Sequence, residues 1–204
     1  MKKITILDYG LGNIRSLKNS LELITKNVSF FSDGQKKNFD ILFIPGVGSF
    51  SKATEILHKK KLDNLIIESS KNDVLIIGIC LGMQILFKTG YEDGKSDGLN
   101  LINGYVDLIP IKNKKLPNIG WRKIQIGENK KFSSLKKFDK EKFYFVHSFM
   151  ANVKDTKEVI SFTNYGNIKI PAIVFNKNVI GIQFHPEKSR ENGIELLKEI
   201  INIY

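Results

Sequence analysis

Val74-Leu-Ile-Ile-Gly-Ile-Cys-Leu-Gly-Met-Gln84 decides how the chain is read. Residues 74–77 form an apolar, β-branched run without polar alternation, the pattern of a parallel strand buried on both faces. Residues 81–88 read as the helix that follows. Between them Gly78 and Gly82 bracket Cys80, the only cysteine of the chain. A strand that passes straight into a helix through Gly-x-Cys-x-Gly has the layout of a nucleophile elbow. Such a turn holds its central residue in a strained backbone conformation and needs small neighbours, because other chain segments come close. The sulfur is then presented at the carboxyl edge of the sheet, facing the free N–H groups and the dipole of the helix N-terminus, which favour a thiolate. A buried core thiol is the competing reading, and choosing between the two needs a base and an orienting acid elsewhere.

Outward from the elbow, the first half of the chain reads as strand and helix in alternation. Residues 3–8 are a strand. Gly10-Leu-Gly-Asn13 is a turn that presents backbone N–H groups or Asn13, with Asn13 as a helix cap; Ile14, Leu17, Leu21 and Ile24 then keep helical spacing. A dinucleotide fingerprint fails here, because Arg15 stands where the third glycine belongs. Residues 28–31 and 40–44 are further strands, the latter ending in Pro45-Gly-Val-Gly48, where two glycines let the backbone approach a ligand and rotate its peptide groups. Ser49 is a candidate cap for a helix near 50–58, and a second helix covers 62–70. Residues 90–99 read as a polar loop. The second half is richer in strands, at 104–109, 121–126, 142–147, 158–162, 170–175 and 179–184, with a hairpin turn at Asn176-Lys-Asn178. A closing amphipathic helix spans 189–203. The order predicts an α/β fold in three layers, with a mostly parallel central sheet, helices on both faces and extra strands in the C-terminal half. Functional residues should then lie at the carboxyl ends of strands. Neither a repeat nor a long linker divides residues 1–204, so a single domain is expected.

Bulk composition narrows the setting. One cysteine forbids an internal disulfide and suits a reducing cytoplasm. The N-terminus lacks the apolar region of a signal peptide, and no run approaches a membrane span. The formal net charge of +11 comes from 32 basic residues of which only Arg15, Arg122 and Arg190 are arginine. Nucleic-acid sites lean on arginine forks and interleaved aromatics, so scattered lysines read as solvated faces instead, or as a basic surface for an acidic partner protein. No Cys-x-x-Cys or His-x-x-x-His suggests a metal, and no cofactor is expected.

Three histidines are available as a base. His58 lies in a lysine-rich helix end with nothing nearby to orient it. His147 ends the strand at 142–147. His185 follows the strand at 179–184 and precedes Pro186, which stops the strand and places the imidazole at an edge. Glu187, two residues on, is close enough to hold the ring. Cys80, His185 and Glu187 therefore make a candidate nucleophile, base and orienting acid.

Pro45-Gly-Val-Gly48, Gly78-Ile-Cys-Leu-Gly-Met-Gln84 and Gly181-Ile-Gln-Phe-His-Pro-Glu-Lys-Ser189 together resemble the class I glutamine amidotransferases. Asp8-Tyr-Gly-Leu-Gly-Asn13 and Tyr144-Phe-Val-His-Ser148 narrow the likeness to the glutaminase subunits of imidazole glycerol phosphate synthase in histidine biosynthesis, over essentially the whole chain. The resemblance implies a flavodoxin-like core and hydrolysis of L-glutamine to glutamate and ammonia. It assigns Cys80, His185 and Glu187 to catalysis, and the backbone of Val47, Gly48 and Leu81 to an oxyanion hole; the glycines of Pro45–Gly48 suggest a peptide whose flip completes that hole when the partner is loaded. Gln84, His147, Ser148 and Phe149 are assigned to the substrate. It further implies a heterodimer with a (β/α)₈-barrel synthase subunit that receives the ammonia, docked through Asn13, Trp121 and Lys188. Many members read Pro-His-Met-Gly-Trp-Asn around the tryptophan, whereas this chain reads Pro117-Asn-Ile-Gly-Trp-Arg122. Arg122 at that face leaves open an ammonia acceptor from surface-sugar biosynthesis. A stand-alone hydrolase of γ-glutamyl peptides and a non-catalytic binding subunit are the remaining alternatives.

Overall fold

The computed structural model describes residues 2–31 and 38–204. The first half alternates as the sequence suggests: β1 (Ile4–Leu7), α1 (Ile14–Glu22), β2 (Val28–Phe31), β3 (Ile41–Gly46), α2 (Phe50–Lys59), α3 (Leu62–Lys71) and β4 (Leu75–Cys80). A four-residue helix α4 (Leu81–Gln84) follows, then β5 (Phe87–Gly90), β6 (Ser96–Asp97), β7 (Ile102–Leu108), β8 (Asn118–Ile126), β9 (Lys142–His147), β10 (Phe149–Val153), β11 (Val159–Tyr165), β12 (Ile168–Asn176), β13 (Val179–Ile182) and α5 (Arg190–Ile203).

Nine strands form the central sheet in the order β2-β1-β3-β4-β13-β12-β11-β8-β9. The five strands from β2 to β13 run parallel, and the remaining pairs are antiparallel. Alternation along the parallel strands feeds two cores. Ile41, Phe43, Leu75, Ile77 and Ile79 face α1 and α5, while Leu42, Ile44 and Ile76 face α2 and α3. These are the expected helices on both faces. A second, four-stranded sheet, β10-β7-β5-β6, adds Phe87, Ile102 and Val106 to the second core.

Three features depart from the sequence reading. The helix expected over 81–88 ends at Gln84, and Phe87–Gly90 is a strand paired with β6 and β7. Phe87 and Thr89 are buried while Lys88 is exposed, a period of two that a short apolar run conceals inside a helical pattern. Likewise the polar loop expected over 90–99 contains β6, and β10 occupies a stretch assigned to no element. The hairpin at Asn176-Lys-Asn178 is present: Asn176 pairs with Val179, and Lys177 has φ +53°.

What positions the site is the neighbourhood of β4. Gly46, at the end of β3, is in register with Cys80 at the end of β4. On the other side Ile182 of β13 is in register with Ile79. Three carboxyl ends distant in sequence thus lie side by side.

Candidate active site

Cys80 has φ +55° and ψ −111°, a region that non-glycine residues occupy only when their surroundings enforce it. The flanking glycines show how it is enforced. A Cβ at Gly82 would collide with the carbonyl of Ile44, and one at Gly78 with the carbonyl of Gly82. The turn is therefore wedged against β3. The expected help from a long helix dipole is reduced, because α4 has only four residues. The sulfur is placed by polar neighbours: the Gln183 side-chain Nε2 lies 4.0 Å from Cys80 Sγ, and the thiol points at the Val146 carbonyl, 3.8 Å away.

His185 leaves β13 and is fixed by its backbone. Its N–H donates to the Tyr144 carbonyl at 2.9 Å, and its carbonyl accepts from Ser189 Oγ at 2.6 Å. Its Nδ1 is 2.7 Å from Glu187 Oε1, with the two side chains only 3% and 5% exposed. Nε2 is buried and makes no hydrogen bond. Burial opposes the imidazolium, but the Cys80 sulfur and the Glu187 carboxylate hydrogen-bonded to Nδ1 outweigh it and push the His185 pKa up to about 10.

Cys80 and His185 open onto one cavity of about 240 Å³. Val47, Gly48, Leu81, Gln84, His147, Ser148 and Phe149 all line it, so every residue assigned to oxyanion or substrate is brought together. Gly48 has φ +115° with open space around it, and Leu81 opens the helix, where N–H groups lack intrahelical acceptors. Three groups escaped the sequence reading. Glu92 lines the cavity and accepts the Phe50 N–H at 2.8 Å, replacing Ser49 as cap of α2; burial raises its pKa. Gln183 is fully buried behind the sulfur. Tyr9 is buried with an unpartnered hydroxyl, and burial together with the nearby Cys80 raises its pKa. Gln183 and Tyr9 had a sequence signal, their places inside the quoted Gly181–Ser189 and Asp8–Asn13 stretches; Glu92 had none.

The docking candidates are more dispersed. Asn13 caps α1, accepting the Ser16 N–H at 3.3 Å. Trp121 is 38% exposed, with Tyr144 edge-on at 6.1 Å and Arg190 at 5.3 Å from its ring. Lys188 lies 6.0 Å from the Tyr144 ring, so Trp121 and Lys188 share a surface. Arg122, next along β8, turns back to Asn118. His58 corrects one expectation: Asp63 does orient it, at 2.9 Å, but the ring is 88% exposed and lines a different cavity. Among the described residues no cluster of three or more His, Cys, Asp or Glu is placed to hold a metal ion. No helix among them is long and apolar enough to cross a membrane.

Sheet and cavity together describe an α/β protein with a candidate thiol–imidazole–carboxylate centre at its strand ends. A family model described as glutamine amidotransferase class-I matches residues 5–203, and the chain belongs to that family. It is 42% identical over 203 residues to imidazole glycerol phosphate synthase subunit HisH of Lactococcus lactis subsp. lactis (strain IL1403), covering 98% of each chain. It is 39% identical to the subunit of that name from Caldanaerobacter subterraneus subsp. tengcongensis, covering 96% of this chain and 95% of the relative. Among solved structures, PurLQS from Thermotoga maritima matches with a TM-score of 0.75 at 20% identity, covering 99% of both chains. A structure described as a glutamine amidotransferase matches at 0.76 and 14% identity, covering 98% of this chain and 97% of that one. These two support the fold alone.

Proposed function

We propose that this chain is the glutaminase subunit of an imidazole glycerol phosphate synthase, folded as one amidotransferase domain. It would hydrolyse L-glutamine and pass ammonia to a (β/α)₈-barrel subunit in histidine biosynthesis. The observation that carries the chemistry is the meeting of Cys80 and His185 in one cavity, with Glu187 holding the far side of the imidazole. Relatives named as HisH subunits, matched over nearly their whole length, carry the pathway.

In this reading the Cys80 proton already resides on His185, whose imidazolium the sulfur and Glu187 favour, and the sulfur attacks the side-chain carboxamide carbon. The oxyanion forms against the N–H of Leu81 and the Val47–Gly48 backbone, donors worth roughly 3 kcal/mol each in other hydrolases. His185 returns the proton to the leaving nitrogen, the C–N bond breaks, and ammonia departs. Water, deprotonated by His185, cleaves the glutamyl thioester and restores the thiol. Glu187 keeps the proton on Nδ1 so that Nε2 does this work. Glu92 supplies a carboxylate for the substrate ammonium, and Gln84 a side-chain amide for its other end. Trp121 and Lys188 belong to the barrel-facing surface, and a flip near Gly48 completes the oxyanion hole when the barrel is loaded.

Cys80→Ala should abolish glutamate release, and Glu187→Gln should lower it on the order of 10⁴-fold by favouring the wrong tautomer. Complementation of a histidine auxotroph by this chain with its cognate barrel subunit tests the pathway. Growth supports it; an active glutaminase that never supports growth moves the acceptor to another pathway. Equal glutamine hydrolysis by the isolated chain and by the loaded complex contradicts the flip.

A further inference from the structure

Arg122 neighbours Trp121 in sequence, but its side chain runs along β8 toward Asn118. Its Nε donates to Asn118 Oδ1 at 3.0 Å, Nη2 to the Ile119 carbonyl at 3.0 Å and Nη1 to the Trp121 carbonyl at 3.1 Å. The guanidinium also lies 5.3 Å from the centre of the Tyr165 ring. A guanidinium is a donor only and stays charged. Asn118 must therefore turn its oxygen to Arg122, which leaves its Nδ2 facing His147 Nε2 at 3.0 Å. An N–H directed at Nε2 requires a lone pair there. The ring proton is thereby placed on Nδ1, which donates to the Phe149 carbonyl at 2.8 Å.

That carbonyl is also held by Gln84 Nε2 at 3.2 Å. Gln84 Nε2 in turn donates to Gln183 Oε1 at 3.3 Å, which leaves the Gln183 Nε2 aimed at the Cys80 sulfur. Both N–H groups of Gln84 are thus occupied by protein, and its carbonyl oxygen is the end left for a ligand. Phe149, Gln84 and His147 all line the cavity.

We propose that Arg122 is a positioning residue for glutamine binding: acting through Asn118, it holds His147 as the neutral Nδ1–H tautomer and thereby fixes the Phe149 carbonyl and the Gln84 amide in the cavity wall. The part concerning glutamine rests on the function proposed above; the tautomer does not. Asn118 and Arg122 are also the two polar departures from the common Pro-His-Met-Gly-Trp-Asn pattern, and the structure joins them in one hydrogen bond. The charges around His147 act in the same sense. Arg122 faces it from β8 and His185 from the loop after β13, and both disfavour a second cation, on top of burial. Cys80 and Glu92 share its cavity. Without Arg122 the Asn118 amide is free to rotate, present its oxygen to Nε2 and stabilise an imidazolium.

The test uses the full chain labelled with ¹⁵N-histidine, in which three ring systems report. Ring-nitrogen shifts of wild type, Arg122→Met and Asn118→Ala are followed from pH 8 to pH 5, and KM and kcat for glutamine are measured with the barrel subunit over the same range. Wild-type His147 should show a protonated Nδ1 and an acceptor Nε2 throughout. Either folded variant should show mixed tautomers or a titration midpoint at least one pH unit higher, and its KM relative to wild type should rise about five-fold as pH falls, with a smaller change in kcat. Unchanged His147 shifts in the folded variants overturn the proposal and leave Arg122 a brace of β8. Altered shifts with unchanged KM overturn the link to glutamine. Altered shifts in a chain whose wild type never hydrolyses glutamine refute the function and not the tautomer.

Discussion

Two buried imidazoles that line the same cavity as Cys80 are driven in opposite directions. His185 is held protonated by Cys80 and Glu187 against its burial. His147 is held neutral by burial, with the charges of His185 and Arg122 adding to it, and its pKa is pushed down to about 4 although the Phe149 carbonyl opposes the shift. The consequences for stability have opposite signs. Between about pH 6.5 and pH 4 the unfolded chain takes a proton on His147 that the folded chain refuses, so stability is lost as pH falls through that window, by about 3 kcal/mol in all. His185 contributes stability that is complete below about pH 6.5 and is lost as pH rises toward 10. Urea unfolding across pH 4–7 should therefore show a shallower acid limb in His147→Gln than in wild type; parallel limbs contradict a neutral His147. The residues of this site were unequally legible. Cys80, His185 and Glu187 stand beside glycines and a proline, which mark strand ends in the sequence itself. Glu92 caps a helix 42 positions away, and Gln183, although it lies in a quoted stretch, makes its contact with a sulfur 103 positions away. Such distances leave no local trace, and Glu92 is one of three acids in its loop, with Asp93 and Asp97.

At the scale of elements, the elbow is a packing solution before it is a chemical one. The start of α4 comes so close to the carboxyl end of β3 that only glycine fits at position 82, where any side chain would meet the Ile44 carbonyl. Gly82→Ala should cost more than about 4 kcal/mol or prevent folding, since backbone would have to move to admit the methyl. Gly94→Ala, at a loop glycine with open space and φ +99°, should cost about 1 kcal/mol from backbone strain alone. Comparable urea midpoints for the two variants contradict the wedge. The strand run at 74–77 and the alternation of the first half were readable because buried parallel strands and amphipathic helices have distinct periods. β5 was not, because α4 is one turn long and the apolar Ile85 and Leu86 that follow it lead straight into Phe87. Its strand identity is decided by β6 and β7, and neighbours of that kind leave no mark inside the segment.

For the molecule as a whole, the parallel half of the sheet supplies Cys80 and the Pro45-Gly-Val-Gly48 turn, while β13 delivers His185 beside them. The antiparallel extension supplies His147 at the end of β9 and Asn118 and Arg122 on β8. The cavity is thus walled by both halves, and Trp121, Tyr144, Lys188 and Arg190 share one surface. The charge of +11, spread over many lysines, is better matched to a protein partner of opposite charge than to nucleic acid, in keeping with the proposed subunit role. Everything rests on Cys80 forming a thioester with the glutamyl group. The most direct measurement is acid quenching of the complex with its barrel subunit during glutamine turnover, followed by peptide mass mapping. The account predicts a glutamyl adduct on the peptide that contains Cys80, accumulating and decaying with turnover, and neither adduct nor ammonia with Cys80→Ala. Sustained ammonia release by Cys80→Ala, or wild-type turnover with the adduct on another residue, would contradict it.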